Sequence, residues 1–203
     1  MALRERFGRA ISWQPEFEGD GRFLTDRDPA QASVLVALAE REDGLHVLLT
    51  QRADHLRDHA GQISFPGGRA EPHDLDAAAT ALREAEEEVG LRHDRLEVIG
   101  QLPTYSTVTS FIVTPVVALV RPPFNVAELA LDSFEVAEAF EVPLAFLMNP
   151  AHHQRHVVSL EGKRRTFLSM PWTATGEDGR AREYFIWGAT AAMLRNLYRF
   201  LSV

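Results

Sequence analysis

Residues 65–91 read FPGGRAEPHDLDAAATALREAEEEVGL, and within them Glu84, Glu87 and Glu88 fall at i, i+3 and i+4. On a helix that spacing puts three carboxylates on one face. Ala78, Leu82, Ala85 and Val89 trace an apolar stripe of helical period on roughly the opposite face, as a helix docked on a core requires. Like charges placed at i and i+4 cost roughly a few tenths of a kcal/mol per pair, so folding alone gives no reason to gather them. A cation would compensate the face, and carboxylate oxygens suit a hard divalent metal. Ahead of the helix, Phe65, Pro66, Gly67 and Gly68 are expected to form a tight turn. Gly90 is placed to cap its C-terminus.

The segments on either side carry further candidates. Arg52, Arg57 and Arg69, with His55, His59 and His73, crowd positions 52–73. A solvated loop accounts for them, and so does an anion-binding rim beside the carboxylate helix, because a guanidinium fork matches phosphate. Further along, Glu135, Glu138 and Glu141 precede Val142 and Pro143; Glu138 and Glu141 read as solvent-facing acids.

Several elements must position these groups. Residues 32–39 form a nearly continuous apolar run, the mark of a buried strand, and 45–51 form its hairpin partner across a turn at 41–44. Strands follow at 96–102 and 111–120, with a polar loop at 103–110 between them; Pro115 within the second requires an edge position or a bulge. A loop or short helix is expected at 125–132, then a single helical turn at 144–147 stopped by Asn149 and Pro150. Residues 154–169 alternate about a turn at 161–163, as a hairpin does, with Lys163, Arg164 and Arg165 at its tip. A strand at 184–187 leads into a closing amphipathic helix at 189–201. Residues 1–30 are polar, with room for one short amphipathic helix.

Composition narrows the classes. A chain of 203 residues, 45% hydrophobic and 25% charged, has the balance of one globular domain. It has no cysteine, which excludes disulfides, thiolate metal sites and cysteine nucleophiles. A net charge of −8 opposes binding to nucleic acid or anionic membrane. No apolar signal core opens the chain and no run is long enough to span a bilayer, so a cytoplasmic protein is expected. The sequence is silent on oligomeric state.

In combination these residues resemble the Nudix hydrolases. That family's box runs from a glycine through a spaced acid to Arg-Glu-apolar-x-Glu-Glu-x-Gly-apolar; here it is Gly68, Asp74 and Arg83 through Leu91. Asp74 stands where glutamate is usual, eight residues rather than seven separate it from Arg83, and Ala85 replaces a bulkier aliphatic. A narrower resemblance, to the coenzyme A pyrophosphatase branch, rests on Leu48, Leu49, Thr50, Arg52, Ala53, Leu56, Arg57, His59, Gly61, Gln62, Phe65, Pro66, Gly67 and Gly68. The longer, Asp-containing box is similar to that branch as well, as are Val113 to Val117 and Tyr184 to Ala191.

The resemblance implies an α/β fold, a mixed β-sheet sandwiched between α-helices, as a single domain over 1–203, with 1–30 an N-terminal extension and 65–91 the box. It implies hydrolysis of a nucleoside diphosphate derivative; for coenzyme A the products are 3′,5′-ADP and 4′-phosphopantetheine. Pyrophosphate hydrolysis needs its charge neutralised and its water activated, and Mg²⁺ or Mn²⁺ does both.

Glu84 and Glu88, one turn apart, are expected to be the primary ligands and Glu87 the third. Arg83 is expected to orient Glu87 through an i,i+4 ion pair, while Glu86 faces solvent. The Gly67-Gly68 backbone is expected to help set metal and phosphate geometry. Glu135 takes the place of a general base in the family pattern, with Glu84 the alternative. Arg52, Arg57, His59 and Arg69 are the nearest basic groups for the 3′-phosphate, and residues 163–165 a second set.

The partner expected is therefore a small molecule, neither nucleic acid nor membrane. Alternative substrates on the same scaffold are NADH, ADP-ribose and diadenosine polyphosphates. A non-catalytic nucleotide sensor is the reading from another class, but such a module has no need of the intact ligand set present here.

Overall fold

A computed structural model describes residues 2–20, 28–56, 58–160, 163–175 and 180–203. The long strand β1 (Ala30–Arg41) is its axis. Its run of small and branched apolar residues, Leu35 to Ala39, is buried on both faces, and this is why the run lacks polar alternation. One edge of β1 pairs in parallel with β7 (Phe111–Val120) along ten residues. The other edge is shared: β2 (Gly44–Arg52) pairs antiparallel with residues 38–41, while β4 (Gly67–Arg69) pairs with residues 32–34. Between the two, Leu35 N–H donates to the Pro66 carbonyl at 2.8 Å. The sheet is completed by β3 (Ile63–Ser64) and β8 (Val136–Pro143) on β2, and by β5 (Leu96–Gln101) and β6 (Tyr105–Ser106) on β7. It is a mixed eight-stranded sheet.

Helix α2 (Ala77–Val89) covers one face. Asp76 caps its N-terminus by accepting from Ala79 N–H at 2.8 Å, and Gly90 ends it at φ 67. The buried stripe is Ala81, Ala85 and Val89, whereas Ala78 and Leu82 are only partly buried. The helix is rolled from the expected setting because the two fully buried alanines allow close approach over β1 and β7. The roll also carries Glu88 inward, so the acids do not lie opposite the apolar stripe; two of them border it.

The second face is covered by α3 (Leu144–Leu147), α4 (Gly188–Leu201) and a separate antiparallel sheet of β9 (Gln154–Leu160), β10 (Lys163–Thr175) and β11 (Ala181–Trp187). The hairpin and final strand expected from sequence are thus one sheet, with β10 and β11 longer than their alternation suggested. Leu168, Met170, Tyr184 and Ile186 point from it into the core.

The N-terminal extension begins with α1 (Ala2–Gly8), whose Phe7 meets Phe200 of α4 at 4.6 Å. Buried Asn196 of α4 accepts from Glu16 and Phe17 N–H and donates to the Phe17 carbonyl.

Three expectations are corrected. Pro115 lies in a central strand, since β7 has partners on both sides; its carbonyl accepts from Leu102 N–H, and the missing N–H faces the gap where β5 has ended and β6 has not begun. The Gly67-Gly68 pair is not a turn: the chain bends at Pro66, and the glycines are already strand β4. Glu138 and Glu141 are not solvated. Arg182 pairs with Glu138 at 2.7 Å and Arg41 with Glu141 at 2.7 Å, both carboxylates largely covered.

Candidate active site

The site forms where β4 crosses between β1 and α2. At this crossing Gly67 lies opposite Val34, and a Cβ on Gly67 would stand 2.4 Å from the Ser33 carbonyl oxygen. No side chain fits, so α2 packs down until its carboxylates meet the glycine backbone. Gly67 N–H donates to Glu88 Oε2 at 3.1 Å. A Cβ on Gly68 would lie 2.5 Å from Glu84 Oε1. The two glycines therefore form a floor against which Glu84 and Glu88 are held.

Glu88 is 5% exposed. Burial is the main force raising its pKa, to about 7, against the opposing Gly67 N–H; the charges of Glu84 and Glu135 raise it further and that of Arg52 lowers it. Glu84 is likewise raised, first by burial, with Arg83 opposing. The charge of Glu135 adds a smaller upward push on both. Glu135 sits in the turn just before β8, where its carbonyl accepts from Ala53 N–H at 2.9 Å.

Arg52 reaches the cluster because the β2–β8 register slips between Gln51 and Arg52, and such a bulge re-aims a side chain. Its Nη1 lies 4.0 Å from Glu88 Oε1. Its buried Nε has no hydrogen-bond partner among the described residues.

Arg83 works from the outer side. It forks onto Asp74 (Nε to Oδ1 3.1 Å, Nη2 to Oδ2 3.0 Å), donates to the Arg69 carbonyl at 3.0 Å, and reaches Glu87 at 2.8 Å and Glu84 at 3.0 Å through Nη1. The expected pair with Glu87 is thus present, but the fork on Asp74 is the larger attachment. The loop that the sequence lengthened by one residue delivers Asp74 to this guanidinium. Glu87 itself is 60% exposed, unlike Glu84 and Glu88, and Glu86 faces solvent beside His93.

The Arg83 fork, aided by the Glu71 N–H, holds the Asp74 carboxyl well below the usual range. A depressed folded pKa contributes stability that is full above the unfolded pKa and is lost as pH falls through the folded one. Asp74→Asn should therefore lower Tm at neutral pH, with the deficit shrinking on acidification below pH ~4. Thermal melts across that range check it, and a deficit unchanged by pH would contradict it.

Of the other basic candidates, His59 is exposed and bonds Gln62 at 2.9 Å. Arg69 is exposed and contributes its backbone. His73 is exposed beside Glu71. Arg57 lies outside the described residues, as do the side chains of Lys163 and Arg165. Sequence reasoning did not reach Asp74 as the anchor of Arg83, although an acid nine positions ahead of an arginine was visible in the box.

Among the described residues no three His, Asp or Glu side chains converge into a complete cation cage. The donor set nonetheless fits a hard divalent ion: a buried carboxylate, Glu88, and a half-buried one, Glu84, both in need of positive charge, next to an arginine donor without a partner among the described residues. Mg²⁺ is commonly held by one or two carboxylates with substrate oxygens and water completing its shell.

The NUDIX domain model matches residues 29–161 of this chain. The chain belongs to the Nudix family. It is 43% identical over 170 residues to the "Uncharacterized Nudix hydrolase NudL" of Escherichia coli K12, covering 82% of this chain and 80% of that protein. The same-named protein of Escherichia coli O7:K1 is 42% identical over 170 residues. A MutT/nudix family protein from Enterococcus faecalis aligns in structure over 99% of this chain and 74% of its own, with a TM-score of 0.51 at 17% identity, which supports the fold. As a Nudix hydrolase the chain is a pyrophosphohydrolase, and enzymes of this family generally use divalent metal ions. Among the described residues no helix is long and apolar enough to cross a membrane.

Proposed function

We propose that this enzyme hydrolyses the pyrophosphate bond of coenzyme A or its derivatives, releasing 3′,5′-ADP and the (acyl-)4′-phosphopantetheine, with Mg²⁺ or Mn²⁺. The observation that carries the hydrolytic part is the pairing of Glu84 and Glu88 against the Gly67-Gly68 strand, with Arg52 4.0 Å from Glu88. The substrate is supported by the resemblance of residues 48–68 to the coenzyme A pyrophosphatase branch.

Glu84 and Glu88, with Glu87 as third donor, would hold the cation, which supplies charge neutralisation at the pyrophosphate and a lowered pKa for water. Arg52 offers a fixed cationic donor to a phosphate oxygen, because its Nε is already desolvated and otherwise unpaired. Arg83 keeps Glu84 and Glu87 oriented, anchored on Asp74 and the Arg69 carbonyl. For the 3′-phosphate we assign, from the same resemblance and their nearness in the sequence, Arg57, His59 and Arg69.

Glu135 is the base that accepts the water's proton. Its charge raises the pKa values of Glu84 and Glu88, yet it hangs on a different loop and so is free of the Arg83 fork. Glu135→Gln should lower kcat ~100-fold and remove the acidic limb of the pH–rate profile, leaving KM in place. A loss below ~10-fold would hand the role to Glu84. The reaction itself is tested by incubating coenzyme A with the enzyme and each metal in ¹⁸O-water and identifying products by mass. Labelled 3′,5′-ADP or 4′-phosphopantetheine is expected; unchanged coenzyme A with either metal overturns the assignment.

A further inference from the structure

Phe134 is 66% exposed, yet its position is closely fixed. Its own N–H donates to Asp132 Oδ1 at 2.9 Å. The Asp132 N–H donates in turn to the backbone carbonyl of Glu88 at 2.9 Å. Glu135 and Val136 N–H both return to the Asp132 carbonyl, at 3.0 and 2.8 Å. The turn that carries Phe134 therefore hangs from the residue bearing the buried carboxylate. On its other side, Glu135 is tied through its carbonyl to Ala53 N–H, one residue from Arg52. The ring of Phe134 meets His55 of that loop at 4.9 Å, tilted by 59°.

A phenyl ring left in water costs free energy, and isolated exposed apolar groups need no explanation when they sit anywhere on a surface. This one is different in setting. It is pinned by an Asx turn, buttressed along one edge by an imidazole, and joined by two backbone hydrogen bonds or fewer to Glu88, Glu135 and the Arg52 loop. Among the described residues the other exposed Phe and Trp side chains, Phe185 and Trp187 of β11, pack with Phe167 and each other, whereas Phe134 has His55 alone as ring partner. The turn that leads into Glu135 thus presents a largely exposed phenyl ring on a backbone fixed to the residue bearing the Glu88 carboxylate.

We propose that Phe134 is the stacking platform for the nucleobase of the substrate, with His55 holding its ring in place. The inference rests on the reading of the substrate as a nucleoside diphosphate derivative and does not need that derivative to be coenzyme A. A purine offers a flat π face to match the ring; a pantetheine arm, a chain of amides and methylenes, offers none. Stacking of a base on an aromatic ring adds affinity with little dependence on which base it is. Charge at the carboxylate cluster and a ring beside it thus divide the work: one end binds the diphosphate, the other fixes the nucleoside so that the anhydride lies over Glu84 and Glu88.

The test is calorimetric binding, with Mg²⁺ present, of α,β-methylene-ADP, of base-free methylenediphosphonate and of 4′-phosphopantetheine. Phe134→Ala should weaken α,β-methylene-ADP ~10-fold and leave methylenediphosphonate within about twofold, while Phe134→Trp keeps wild-type affinity for both. Because the side chain is exposed, Tm should not move, which separates recognition from folding. An unchanged α,β-methylene-ADP affinity in Phe134→Ala overturns the proposal. Equal losses for the two diphosphates, a larger loss for 4′-phosphopantetheine, or wild-type protein that binds the two diphosphates alike would overturn it too. Should coenzyme A fail as a substrate, the contrast between the base-bearing and base-free diphosphates still reads the platform.

Discussion

Glu88→Gln is expected to lower kcat/KM by ~1,000-fold or more while making the metal-free protein more stable at neutral pH. The two effects have one cause. Glu88 is buried, with a single backbone N–H and a distant guanidinium for compensation. Its pKa is pushed from 4.5 up to about 7. For a carboxyl raised in the folded state, the folded protein binds the proton more tightly than the unfolded chain, so stability falls as pH rises between those two values. Glutamine keeps the acceptor for Gly67 N–H and removes the charge, and with it the reason for a cation to bind.

Thermal melts with and without Mg²⁺ read this directly. Wild type should gain Tm on adding the metal at pH 7.5, and Glu88→Gln should start higher and gain little. Glu84→Gln should behave in the same direction, with a smaller stability gain because Arg83 already offsets part of its charge. Glu87→Gln, at an exposed carboxylate, should cost less activity, ~10- to 100-fold. A Glu88→Gln enzyme within tenfold of wild type would contradict the ligand assignment.

The second large effect separates the two neighbouring glycines. Gly67→Ala should destabilise the fold by ~3 kcal/mol, since the new Cβ would strike the Ser33 carbonyl at 2.4 Å and Val34 Cα at 2.6 Å, at a residue whose φ is 156°. These are backbone atoms of the central strand and cannot move aside. Gly68→Ala should leave stability within ~1 kcal/mol, because the atoms it meets, 2.5–2.6 Å away, are the carboxylate tip of Glu84. That tip can swing, and in swinging it leaves the site. The expected result is a folded enzyme with kcat lowered ~10- to 100-fold, recoverable in no degree by higher substrate. Denaturant unfolding alongside steady-state kinetics checks both substitutions. Equal stability losses at the two positions would remove the distinction.

Much of this site was legible in the chain itself because its chemistry is local. The acids of α2 lie within five residues, and helical spacing alone places Glu84 and Glu88 together. Gly90 and the Asn149-Pro150 stop announce themselves by residue type. What escaped was set by tertiary contact. The Gly67-Gly68 strand has no side chains from which alternation could be read, so it looked like a turn. Pro115 looked like an edge signal because the end of β5 and the start of β6, which leave its missing N–H unopposed, lie in other parts of the chain. Glu138 and Glu141 looked solvated because their partners, Arg182 and Arg41, are 44 positions downstream and 100 upstream. Arg52 was a candidate from composition, but only the bulge at Gln51 explains why it reaches Glu88 while Arg69, beside the glycines, turns outward. Phe134 gave no signal at all, being a single aromatic residue in a turn.

The most direct test of the account is a comparison of kcat/KM for coenzyme A, NADH, ADP-ribose and diadenosine tetraphosphate, each with Mg²⁺ and with Mn²⁺, for wild type and Glu88→Gln. The account predicts coenzyme A as the preferred substrate by at least ~10-fold, activity strictly dependent on added metal, and collapse on all four compounds in the variant. Preference for any other compound would contradict the substrate assignment, and metal-independent turnover or an active Glu88→Gln enzyme would contradict the site itself.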